Sequence, residues 1–67
     1  MLKKLFNLFE NYSLMGEYFE GHPDDPTILC EFYLADVPGE GVIQQIRGIL
    51  CPQPFEISSN VLTIFKK

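Results

Sequence analysis

Sixty-seven residues, 46% of them hydrophobic and including six Phe and three Tyr, are enough for one small packed core and too apolar for a disordered chain. Two cysteines exclude the dense disulfide framework of a small secreted domain. The net charge of −4 is unevenly laid out: Lys3, Lys4, Arg47, Lys66 and Lys67 are the only basic residues, and eight of the nine acids lie between Leu5 and Ile46, where there are none. Such a surface repels phosphate backbones, which argues against direct nucleic-acid binding, and attracts a basic protein surface.

In chain order, Leu2 to about Asn11 has helical spacing, with Leu2, Leu5, Phe6 and Phe9 on one stripe and Lys3, Lys4 and Asn7 off it. The spacing predicts a short amphipathic helix lying on a sheet. A membrane-surface helix has the same pattern, but a domain this small needs the apolar area for its own core. Asn7 and Glu10 interrupt the apolar run of about 7–15 residues that a secretory signal requires, and no segment approaches the roughly 18 apolar residues of a membrane span. The expectation is a cytoplasmic protein with reduced thiols. Starting at Met and without tag-like segments, the chain reads as a complete small product.

Tyr12 to Glu20 interleaves aromatic and polar residues and reads as a strand with two mixed faces. Gly21-His22-Pro23-Asp24-Asp25-Pro26 is dense in turn formers. In the next strand, Thr27 to Ala35, Ile28, Cys30, Phe32 and Leu34 alternate onto one face, and Glu31 shares the other with Leu29, Tyr33 and Ala35. The two strands form an antiparallel hairpin. Asp36-Val37-Pro38-Gly39 then breaks the pattern. A second helix runs from Gly39 or Gly41 to Leu50, with Val42, Ile43, Ile46, Ile49 and Leu50 on one arc and Gln44 and Gly48 facing away. Gly48 costs roughly 1 kcal/mol in a helix interior and marks a point of fraying toward Cys51-Pro52-Gln53-Pro54, which cannot continue a helix. Phe55–Ser58 and Val61–Phe65 form a tighter hairpin around Ser59-Asn60, with Asn60 suited to positive φ. No internal repeat is visible. The sum is one α+β domain, residues 1–67, ordered helix-strand-strand-helix-strand-strand, with two helices packed on one face of a mainly antiparallel sheet.

Chemistry-bearing residues are sparse. His22 is the only histidine, and a metal site needs three or four ligands in a shaped cavity. It reads as part of a solvated turn. Cys30 is in phase with the core face. Cys51 ends a helix one turn after Arg47, whose guanidinium favours a thiolate while the helix C-terminus opposes one. Cys51-Pro52-Gln53-Pro54 resembles the Cys-Pro-x-Pro motif of the sulfur-carrier family related to TusA. The resemblance covers these four residues and implies a Cys51-bound sulfur. In that family the motif follows the first strand and opens a long helix, whereas here it comes late. Asp24 and Asp25 splay apart at a turn tip, unlike paired catalytic carboxylates. Gly39-Glu40-Gly41 carries an acid where a phosphate loop would hold its ligand. The aromatic residues lack the basic neighbours of an RNA-binding sheet.

These features predict no enzyme, no metal and no cofactor, but an acidic module that binds a larger, basic-surfaced protein, with membrane association disfavoured. Glu17, Tyr18, Glu20, Asp24, Asp25, Glu31 and Tyr33 of the first hairpin are its candidate contact residues, the tyrosines supplying amphipathic area beside the charges. Size and charge suit, by analogy, phage-encoded inhibitors of host defence or nucleic-acid machinery. A Cys51-dependent sulfur carrier or thiol protein and a small structural subunit of a complex are the alternatives.

Overall fold

A computed structural model describes residues 1–66 of the chain. Its elements follow the expected order: α1 (Leu2–Asn11), β1 (Glu17–Glu20), β2 (Ile28–Tyr33), α2 (Glu40–Leu50), β3 (Phe55–Ser58) and β4 (Val61–Phe65). The strands form one antiparallel sheet in the order β1-β2-β4-β3. Each hairpin therefore puts its first strand at an edge and its second at the centre, and β2 pairs with β4 along the middle. The unit helix-then-hairpin occurs twice, although the sequence has no repeat.

Strand register explains where the core sits. Tyr18, Phe32, Leu62 and Ile57 make one row across the sheet, and Glu20, Cys30, Ile64 and Phe55 the next. Both rows face the helices, because successive side chains alternate sides. Cys30, Phe32, Leu62 and Ile64 join Leu5, Leu8 and Phe9 of α1 and Val42, Ile46 and Leu50 of α2 in a single buried cluster. Both helices thus cover the same sheet face. A fully buried Leu, Ile or Phe contributes about 1.5–3 kcal/mol, and the eight largest fully buried side chains all belong to this cluster. Phe32 sits at its centre, edge-on to Phe6 and Phe9 at centroid distances of 5.3 and 5.2 Å.

The segment after α1 is not the strand that its composition predicts. Ser13 takes φ 56°, its N–H donates to the Glu10 carbonyl, and Leu14 N–H donates to the Phe9 carbonyl at 2.7 Å. This double closure is a Schellman helix end, with Leu14 buried in the core as its apolar partner. Serine occupies the left-handed position usually given to glycine, which removes the sequence signal. The chain then runs beside the end of β2, where Ala35 N–H donates to the Leu14 carbonyl at 2.9 Å, and becomes a strand only at Glu17. Gly16 makes that approach possible, since a Cβ there would lie 2.0 Å from the Tyr33 carbonyl oxygen.

α2 starts on Gly39, whose extended backbone lets its carbonyl accept Ile43 N–H at 3.0 Å. It does not fray at Gly48. Leu50 beyond it is only 1% exposed, and this burial holds the last turn in place. Gln45 Nε2 donates to Tyr12 Oη at 3.0 Å and links the two helices near the end of α1. In the β3–β4 turn the positive φ falls on Ser59, at 55°, not on Asn60. Asn60 instead extends the central seam: its carbonyl accepts Leu34 N–H at 2.8 Å and its Nδ2 donates to the Leu34 carbonyl at 2.9 Å.

Candidate partner-binding face

The sheet face turned away from the helices carries the other two register rows. Glu17, Tyr33, Val61 and Ser58 form one, and Phe19, Glu31, Thr63 and Glu56 the other. Phe19 is 47% exposed and Tyr33 39%. Their rings meet edge-to-face at 5.4 Å and 86°, a favourable aromatic pairing geometry. Glu31, on central strand β2, is steadied by Thr63, whose Oγ1 donates to Glu31 Oε2 at 3.3 Å. Glu17 and Glu56 stand on the two edge strands, both exposed. Among the described residues these two rows contain three carboxylates and no basic side chain. Phe65 follows on the same side of β4, half-buried.

The structure distributes the seven predicted contact residues over three places. Glu17, Glu31 and Tyr33 lie on the uncovered face. Tyr18 is instead turned to the helix side, where its ring lies 4.9 Å from that of Phe32 and 5.3 Å from that of Phe6. Burial there pushes its hydroxyl pKa up, with the neighbouring Cys30 thiol adding to the effect. Glu20 shares that side but is exposed at the sheet edge. Asp24 and Asp25 lie in the β1–β2 turn, off either face.

Asp25 serves the turn itself. Its Oδ1 accepts Thr27 N–H at 2.9 Å and Thr27 Oγ1 at 2.6 Å, and these bonds hold its carboxyl below the usual range. His22 acts likewise, its Nδ1 accepting Asp24 N–H at 3.1 Å. Among the described residues, no three His, Cys, Asp or Glu side chains are grouped to hold a metal ion.

Sequence reasoning passed over Phe19, Glu56, Val61 and Phe65. The strand Glu17-Tyr18-Phe19-Glu20 has one aromatic and one acid on each side, so alternation alone cannot orient it. Only pairing with β2 does. Glu56 joins the face through β4, a relation that no local pattern encodes.

Both cysteines are free, Cys30 buried and Cys51 exposed. Burial pushes the Cys30 thiol up, with the Tyr18 hydroxyl acting in the opposite direction. Cys51 caps the C-terminus of α2, its N–H donating to the Arg47 carbonyl at 3.0 Å. The Cys-Pro-x-Pro segment therefore closes a helix and leads into edge strand β3. Alongside β3, a shallow groove of about 590 Å³ is lined by Glu40, Ile43 and Arg47 of α2 and by Phe55 and Ile57. Among the described residues no helix is long and apolar enough to cross a membrane. Comparison of the chain with protein-family models, curated proteins and solved structures returned no match.

Proposed function

We propose that this protein is a binding module whose uncovered sheet face docks onto the basic surface of a larger protein. The observation that carries the reading is the exposed Phe19–Tyr33 pair set among Glu17, Glu31 and Glu56, with no basic side chain in those rows. Aromatic rings bring large contact area at little conformational cost and dominate the energetic centres of interfaces. The surrounding carboxylates raise the encounter rate with a positive surface and select against negative ones. A protein surface that ordinarily holds nucleic acid has that character. An inhibitor occupying such a surface, of the phage-encoded kind, is the specific form of the proposal. It sets the protein in the cytoplasm, where its two free thiols stay reduced.

The test uses a protein recovered on the immobilised chain and then purified. Reversal of Glu17, Glu31 and Glu56 to Lys should slow its association about tenfold or more at low salt, and less at high salt. The matching reversal of Glu20, Asp24 and Asp25, off the face, should have a smaller effect. Phe19→Ser with Tyr33→Ser should speed dissociation. Unchanged rates in the face variants, or a larger effect from the turn variants, would remove this face from the interaction.

A further inference from the structure

We propose that β3 is the interface of a symmetric homodimer, in which the free edges of two copies pair antiparallel about an axis at Glu56 and continue the sheet from one subunit into the other. The dimer uses the main-chain edge and the helix side of β3 and shares only Glu56 with the partner-binding face.

The β3–β4 hairpin closes on the Ser58–Val61 pair, and Phe65 N–H donates to the Pro54 carbonyl at 2.9 Å. Positions 54, 56 and 58 therefore direct their polar groups at β4, since bonded and non-bonded pairs alternate along an antiparallel ladder. The N–H and C=O groups of Phe55 and Ile57 point off the free edge. A second copy related by a two-fold axis at Glu56 sets Phe55 opposite the second copy's Ile57, and Ile57 opposite its Phe55. All the outward groups then pair reciprocally. The other edge, β1, is flanked by Glu17, Glu20 and Asp24, the kind of charged border that discourages strand addition.

The groove beside β3 adds side-chain complementarity. Glu40, Ile43 and Arg47 make one stripe of α2 along it, and Phe55 and Ile57 line its floor from β3. Gln53 N–H turns back onto the Leu50 carbonyl, so the chain reverses after α2 and β3 runs back along the helix. Phe55 thus lies toward Arg47, and Ile57 toward Glu40. The same two-fold that pairs the strands brings Ile43 against its copy at the axis and sets each Arg47 opposite the second copy's Glu40. The order acid–apolar–base along the groove is complementary to itself when inverted. A foreign strand satisfies the main-chain groups equally well, but this charge order selects a second copy. Glu56 faces its own copy on the open side of the sheet and opposes the association, as like charges directly opposite do.

Sedimentation velocity from about 1 µM to about 1 mM tests the proposal, with a weak reversible dimer expected from so short an edge. Arg47→Glu and Glu40→Arg should each weaken dimerisation about tenfold, because the axis repeats every contact. The double exchange Arg47→Glu with Glu40→Arg should restore it, and Glu56→Thr should tighten it. Melting curves confirm that each surface variant is folded. A protein that stays monomeric at the highest concentration overturns the proposal and leaves the groove to a foreign strand. A dimer unmoved by the single reversals, or not restored by the exchange, overturns it as well.

Discussion

Replacing Gly16 by alanine puts the geometry between α1 and β1 to a direct test. The added Cβ would lie 2.0 Å from the Tyr33 carbonyl oxygen, 3.1 Å from the Tyr33 carbonyl carbon and 3.3 Å from that of Leu34. All three atoms are backbone in or next to central strand β2, so no side chain can swing aside. Ordinary contact begins near 3.4 Å, and a separation of well over an ångström must open. That displacement breaks the 2.9 Å bond from Ala35 N–H to the Leu14 carbonyl and draws Leu14 out of the core. Overpacking costs about 1–3 kcal/mol and the lost hydrogen bond about 1 more. The total approaches the roughly 3–5 kcal/mol that a core of this size supplies. With a urea slope near 1 kcal/mol per molar, the unfolding midpoint should fall by about 2 M or more. Gly48→Ala makes the matched control, because its Cβ meets nothing within 4 Å and the site is an exposed helix interior. There the same substitution should raise the midpoint by up to about 1 M through helix propensity alone. A Gly16→Ala shift below about 0.5 M would mean that the chain has room at this crossing, and the reasoning fails.

Ser13→Gly should stabilise the fold by up to about 1 kcal/mol in chemical denaturation, since Ser13 holds φ 56° in a helix-ending motif that suits glycine. Phe32→Ala should cost about 3–5 kcal/mol, enough to abolish the cooperative melt, because that residue is 0% exposed and its ring packs against Phe6 and Phe9 of α1 and Tyr18 of β1. Alkaline pH provides a further check. The folded Cys30 thiol has a raised pKa, so above the ordinary thiol range the unfolded chain releases a proton that the folded one retains. Stability is then full below the unfolded value and declines as pH rises through about 8 to 9.5, below the range where the raised Tyr18 hydroxyl adds a decline of its own, and over that window urea midpoints should fall in the wild type and flatten in Cys30→Ala.

Where the sequence was legible, one strong local period sufficed. Ile28, Cys30, Phe32 and Leu34 alternate without exception, and all four are buried. Val42, Ile46 and Leu50 repeat at helical spacing and define the buried side of α2. Two features hid the rest. At Ser13 a helix end, and at Ser59 a two-residue hairpin turn, impose a left-handed backbone that serine does not advertise, so the residues just after Asn11 read as strand and the positive φ of the turn is expected on Asn60. The candidate site was hidden for a different reason. Glu17, Glu31 and Tyr33 were visible as acidic and aromatic residues of the first hairpin, but the choice of Phe19 over Tyr18 depends on which side the helices cover. Glu56 enters only through the β2–β4 pairing, between strands on opposite sides of α2 in the sequence.

That central seam also sets how the chain must fold. Each hairpin closes between near neighbours, β3 and β4 across only Ser59 and Asn60. The seam instead joins Tyr33 to Val61 and Ile28 to Phe65, with the whole of α2 in the intervening loop. Closing that loop costs chain entropy before any core contact compensates for it, so the slow event is the meeting of the two helix-hairpin units. Substitutions at Phe32 and Leu62, which face each other across the seam, should then act mainly on the folding rate. Those confined to one hairpin, such as Ser59, should act mainly on the unfolding rate.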